Sequence, residues 1–136
     1  MKKSLTALTF LAACAITQPV FAHDLGPKDS RNIREFKCFV DNVYFEARNQ
    51  TETGKFAVAF VTLNRVNSED FPNSICEVVW QPGQFSWTSD GKSDIPTEKV
   101  TYSDIRDLMA YMYLRPEVFK DPTNGATEFD YKTIQD

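Results

Sequence analysis

The stretch "TGKFAVAFVTLNRV", residues 53–66, is apolar almost all round from Phe56 to Val61. A helix without a polar face is stable only when other elements wrap it, so this segment reads as a central, buried helix. A buried strand is the other solution. About a dozen residues with Ala and Leu among them favour the helix. At its far end stand two polar residues, Asn64 and Arg65, on an otherwise greasy element.

The segments on either side supply partners for it. From Ile33 the apolar residues Ile33, Phe36, Val40, Val43, Tyr44 and Ala47 fall at helical spacing. At about 100° per residue they fill one arc, and Glu46 lies at its margin beside Phe39. Asn49, Gln50 and Thr51 end this helix, since Asn tolerates the left-handed conformation in which helices often stop. Downstream, Phe71-Pro72-Asn73 turns the chain, Ser74 caps a short helix, and Pro82-Gly83 turns it again. Residues 88–101 are polar and loop-like. From Ser103 a further amphipathic helix carries Ile105, Leu108, Met109 and Met112 inward and ends at Pro116. "KDPTNGATEFDY" is turn-rich, with Thr123, Asn124 and Gly125 as plain turn residues. With 42% apolar and 13% aromatic residues the chain can fill a core. The expectation is a mainly α, single compact helical domain with a loop-built cleft and at most a small β element.

Residues 1–22 read as an export signal: Lys2 and Lys3, an apolar run from Leu5 to Ile16, Pro19, and small residues before Ala22. Cleavage after Ala22 would leave a polar leader, 23–32, and a domain, 33–136. The alternative is a lipobox, Leu11-Ala12-Ala13-Cys14, which would lipidate Cys14 and tether the domain to a membrane. Loss of Lys2 and Lys3 lowers Lys+Arg from 15 to 13 against 19 acids, so the formal charge moves from −4 to −6. That balance argues against nucleic acid as a partner, which calls for a basic face. Cys38 and Cys76 form an even pair, read as a disulfide in an oxidising compartment, with two free thiols as the alternative. The chain has no Cys-x-x-Cys motif and its single His is His23, so no metal ligand set is expected and no cofactor is called for.

Four motifs in order, "YFEAR", "TGKFAVAFVTLNRV", "FPNSICEVVWQPGQFSW" and "DPTNGAT", resemble the SleB-like cell-wall hydrolase family of spore-cortex-lytic and related peptidoglycan hydrolases. The likeness runs from about Cys38 to Thr127 and thins beyond. The resemblance implies a lysozyme-like (α+β) fold and a peptidoglycan glycan strand as partner. It also implies cleavage of the lytic transglycosylase type, with Glu46 at the position of the family's catalytic glutamate. The chain departs from the family pattern at Asn49, commonly Gly, and at Lys55, often Gln.

The residues suit that chemistry. A general acid must hold its proton near neutral pH, and placing a Glu against apolar groups favours the protonated form. Tyr44, Phe45, Phe85 and Trp87 are available for such a wall. A hydrolase that uses water needs a second carboxylate, for which Asp90, Glu77 and Asp94 are the nearby offers. A lytic transglycosylase needs none, because the muramic C6 hydroxyl attacks intramolecularly. The competing account of Glu46 is a helix-edge residue paired with Arg48 or Lys37. In "QPGQFSW", Gln84 and Ser86 can hydrogen-bond sugar groups. Phe85 and Trp87 can stack on sugar faces, although one of the two rings is expected to plug the core. Asn64 either orients Glu46, contacts sugar or caps its own helix. Ala126 and Thr127 are placed at the cleft wall. The sequence thus points to an exported, periplasmic or secreted, monomeric glycan-strand hydrolase. The alternatives are a water-using muramidase and a catalytically weak glycan-binding protein of the same fold.

Overall fold

The computed structural model describes residues 30–128. Residues 1–22, Cys14 and most of the leader lie outside them. Four α-helices follow one another: α1 (Ser30–Ala47), α2 (Glu52–Val66), α3 (Ile75–Val79) and α4 (Lys99–Leu114). Single 3-10 turns occupy Ser86–Ser89 and Pro116–Val118. No strand occurs among the described residues, in keeping with the mainly α, lysozyme-like expectation. No helix among them is long and apolar enough to cross a membrane.

The segment α2 is buried as its composition requires: Gly54, Ala57 to Thr62 and Arg65 are all inside. The hub, however, is α1, which packs against α2, α3 and α4. Its buried face is Phe39, Val40, Val43, Tyr44 and Ala47, while Ile33, expected inward, is exposed. The helix starts three residues before Ile33, so Ile33 lies in its first turn, away from the core. From α4, Ile105, Met109 and Met112 are buried and Leu108 packs partly against them. This helix also begins earlier than its apolar pattern, at Lys99 rather than Ser103, because its first turn is polar and anchored by other means. Glu98, at its start, donates its backbone N–H to Tyr44 Oη at 3.2 Å and accepts from Arg48 Nε at 3.0 Å.

The turn between α1 and α2 differs from the sequence expectation. Asn49 is not left-handed; the non-glycine residue with positive φ among the described residues is Asn124, at 52°. The chain turns instead through Gln50 N–H to Ala47 C=O, 2.9 Å, and Thr51 caps α2 by accepting from Gly54 N–H at 3.2 Å. A Cβ on Gly54 would come within 2.9 Å of Gln50 Cβ, so glycine permits this tight re-entry. Ser74 caps α3 as expected. Its hydroxyl accepts from Glu77 N–H and donates to Glu77 Oε2, a reciprocal box over one turn. Glu35 of α1 adds a second cap, accepting from Cys76 N–H at 3.0 Å.

One buried polar chain joins three elements. Trp87 Nε1 donates to Asn42 Oδ1 (2.9 Å), Asn42 Nδ2 donates to Thr62 Oγ1 (3.0 Å), and Thr62 donates to Val58 C=O (2.9 Å). Asn42 is 0% exposed, so both ends of its amide are satisfied without water. Around it Trp87 stacks on Phe45 with centroids 4.7 Å apart. A covalent tie lies one turn away on α1: Cys38 and Cys76 form the disulfide, with Cα atoms 5.3 Å apart.

Two outcomes test these ties. Reducing the disulfide, which closes a loop of 38 residues, should remove roughly 4 kcal/mol of stability, measured by urea unfolding with and without reductant. Asn42→Leu keeps the branched heavy-atom skeleton but is bulkier, and it strands the Trp87 N–H in the core. It should lower the urea midpoint by an amount equal to about 2–4 kcal/mol at an unchanged slope.

Candidate functional site

Glu46 stands on the last turn of α1, half-buried. The two cations weighed as partners for Glu46 each have another carboxylate. Arg48 is taken by Glu98, and Lys37 is paired with Asp41 one turn along the same helix. Burial pushes the Glu46 carboxyl above the usual carboxylate range, and the positive charge of Arg65 opposes that rise. The net direction is upward, so desolvation wins.

Arg65, on the last turn of α2, was visible in the sequence only as a polar residue on an apolar helix. The structure makes it the second charged member of the site. It is 3% exposed. Its guanidinium sits over the rings of Phe85, at 5.0 Å, and Phe71, at 5.2 Å. Nε donates to the Thr127 carbonyl at 2.7 Å, Nη2 is 3.9 Å from the exposed Glu128 carboxylate, and Nη1 has no hydrogen-bond partner. Burial pushes its pKa down, and the acids Glu128 and Glu46 push it back up.

Asn64 does not cap α2, whose C-cap is Asn67. Its Nδ2 donates to Asp121 Oδ2 and to the Ala126 carbonyl, each at 3.0 Å, so it tethers the loop that follows α4. Asp121 organises that loop by accepting from Thr123 N–H (2.7 Å), Thr123 Oγ1 (2.6 Å) and Gly125 N–H (2.8 Å). Burial works to raise its pKa. The hydrogen bonds from Thr123, Asn64 and Gly125 together outweigh that and hold the carboxylate below its ordinary range. Asn124 and Gly125 take positive φ and turn the chain around Asp121. The Asp-Pro at the head of this turn was the sequence signal for the hub. Ala126 and Thr127 are thereby fastened to the end of α2 through their carbonyls.

In the "QPGQFSW" loop both aromatic rings are buried, Phe85 5% and Trp87 6% exposed, where one was expected to plug the core. Phe85 lies against Arg65, and Trp87 is held by Asn42. Gln84 is half-buried and Ser86 exposed. Gly83 has φ 77° with nothing within 4 Å of an added Cβ, so the turn itself, not a crowded neighbour, calls for glycine. A cavity of about 330 Å³ opens beside this loop. Tyr44, Phe45, Ser86 and Trp87 form one side of it and Asp90 and Asp94 another. Glu77, the third carboxylate offered by the sequence, lies elsewhere, in its pairing with Ser74.

A half-buried acid, a buried arginine and a tethered loop on a mainly α scaffold are the setting in which the relatives of the chain enter. Residues 49–135 match the family model described as Cell Wall Hydrolase, and the chain belongs to that family. The match starts after Glu46 and continues past Thr127, where the likeness in the sequence had been read as thinning. The spore cortex-lytic enzyme of Halalkalibacterium halodurans is 32% identical over 95 residues, 70% of this chain and 26% of that protein. That of Bacillus subtilis is 29% identical over 96 residues, covering 65% and 32% of the two chains. That of Oceanobacillus iheyensis is 38% identical over 75 residues, covering 51% and 27%. The chain therefore spans about a third or less of the length of these curated relatives. No solved structure matches it.

The raised carboxyl has a consequence for stability. A folded pKa above the unfolded one means that the native state holds the proton more tightly. The stabilisation is complete below the unfolded value and is lost as pH rises through the raised value. Glu46→Gln cannot ionise, so it should gain stability relative to the parent protein as pH rises above the ordinary carboxylate range. Urea midpoints of the two proteins across that range should diverge as pH rises; parallel curves would mean that Glu46 is not desolvated.

Proposed function

We propose that the chain is an exported peptidoglycan hydrolase that cleaves the glycan strand between N-acetylmuramic acid and N-acetylglucosamine. In this reading Glu46 is the general acid and base of a lytic transglycosylation. The observation that carries it is the desolvated carboxyl of Glu46, placed on the end of a rigid core helix in a chain of the cell wall hydrolase family. The printed names of the relatives, spore cortex-lytic enzymes, support a wall polymer as substrate.

The chemistry follows from one carboxyl. Glu46 gives its proton to the glycosidic oxygen as the C1–O bond breaks, and the muramic sugar takes on oxocarbenium character. The C6 hydroxyl of the same sugar then attacks C1, and its proton passes to the Glu46 carboxylate. The products are a 1,6-anhydromuramoyl end and a free N-acetylglucosamine end, with the enzyme returned to its starting protonation. Ser86, Gln84 and the rim of Trp87 are the proposed glycan contacts on the cavity side. Ala126 and Thr127 are the proposed contacts on the tethered loop. The disulfide supports an oxidising, extracytoplasmic location.

A second reading, a muramidase using water, draws on Asp90 and Asp94, which share the cavity with Phe45 and Trp87. The two readings differ in product. Incubated with sacculi, the protein should release muropeptides with anhydro ends by mass spectrometry, whereas the muramidase would release reducing ends. Glu46→Gln should lower the rate by about a hundred- to ten-thousand-fold while remaining folded. An unchanged rate in that variant would remove Glu46 from the chemistry.

A further inference from the structure

The sequence offered Phe85 and Trp87 as rings on which a sugar could stack, and the fold buries both. Trp87 is fully engaged: its N–H goes to Asn42, Phe45 stacks on it with centroids 4.7 Å apart, and Trp80 meets it with centroids 5.3 Å apart. Trp80 is different. It stands at the C-cap of α3 and is 47% exposed. A tryptophan whose task was to cover Trp87 would bury more of itself in an offset stack, the arrangement that Phe45 takes on the same ring. The planes of Trp80 and Trp87 are instead inclined at 66°, an edge contact that leaves much of the Trp80 ring in solvent. The turn beyond it is open: Pro82 and Gly83 are exposed, and a Cβ on Gly83 would have nothing within 4 Å. Gln84 N–H donates to the Gln81 carbonyl at 3.2 Å, so the turn that starts after Trp80 closes at Gln84.

We propose that Trp80 is a sugar-stacking platform: the apolar face of a pyranose ring of the wall glycan lies on the open indole, beside the contacts proposed for Gln84 and Ser86. The proposal rests on a wall glycan as the ligand and does not need Glu46 to be the acid. A pyranose presents C–H bonds on its face, while its hydroxyls and N-acetyl group project from its rim. A rigid aromatic ring meets such a face at little entropic cost, because an indole has only two side-chain torsions to fix. The amide of Gln84 and the hydroxyl of Ser86 are suited to the rim groups. Trp80 touches Trp87, Trp87 touches Phe45, and Phe45 precedes Glu46 in α1, so the platform is tied to the core helix that carries the proposed acid. The sugar it holds is a neighbour of the one whose bond is cut. Contact with a sugar that does not react acts on the binding of the strand and leaves the chemical step alone.

The chain has two tryptophans, which makes the test direct. Trp87 is buried and Trp80 is not, so acrylamide should quench the emission of Trp80 alone. Peptide-free glycan strands released from sacculi should shield that emission in the full chain, with Glu46→Gln used to keep the strands intact. Calorimetry on the same mixture reads binding independently. Strands that bind and leave Trp80 fully quenchable would overturn the proposal, and so would strands that do not bind. In the active protein, Trp80→Ala should raise KM for soluble strands about ten-fold with kcat held within about two-fold, and Trp80→Phe should keep KM near that of the parent. A loss confined to kcat, or an equal rise of KM in both variants, would overturn it. The shielding measurement leaves Trp80 unaltered, so it decides the matter even where Trp80→Ala loosens the packing around Trp87. Shielding of Trp80 by strands that the parent protein never cleaves would break the hydrolase reading and leave the platform standing.

Discussion

The buried amide of Asn42 is the constraint on which the other elements depend. Its carbonyl takes the indole N–H of Trp87 and its nitrogen gives to Thr62, so one side chain joins α1, α2 and the loop after α3. A buried polar group tolerates little movement, because losing either partner leaves an unmet donor or acceptor in a dry interior. Apolar packing alone would allow α1 and α2 to slide by a fraction of a turn. The amide fixes their register. It also holds Trp87 in place, which seats the loop that carries Gln84 and Ser86.

The site that results is a balance of two opposed effects on one carboxyl. Desolvation raises the Glu46 pKa, and the charge of the buried Arg65 opposes the rise. The loop after α4 is fastened to the end of α2. Asp121 gathers the turn, and Asn64 and Arg65, neighbours on α2, each hold a carbonyl of its far end. Two adjacent residues at the end of one helix thereby join the loop to the acid's surroundings.

The relatives cover the same stretch of chain from a different direction. The family match begins in the turn after α1, so it includes Asn64, Arg65, the aromatic loop and the tethered loop, but not Glu46. The scaffold that surrounds the acid is thus the part that the family model describes. The role proposed for Glu46 is supported by the resemblance carried by "YFEAR" and by its desolvation.

Much of this architecture was legible in the chain. Apolar periodicity placed α1 and the inward residues of α4, a run apolar on all sides marked α2, and Ser74 as a cap marked the start of α3, because these signals are local. The pairing of Cys38 with Cys76 and the retuning of a Glu beside aromatic residues were also readable from residue types and context. What only the tertiary structure decided is which polar groups meet. Asn64 was one of several possible caps or sugar contacts until a loop some sixty residues away brought Asp121 and Ala126 to it. Arg48 was an equal partner for Glu46 until Glu98 arrived at the start of α4. Arg65 was only a polar residue on an otherwise apolar helix, and Asn42 carried no signal of its partners. The physical reason is that hydrophobic burial is non-directional and follows from the pattern along one segment. A hydrogen bond or a buried charge needs a particular partner at a particular distance, and that partner comes from elsewhere in the chain.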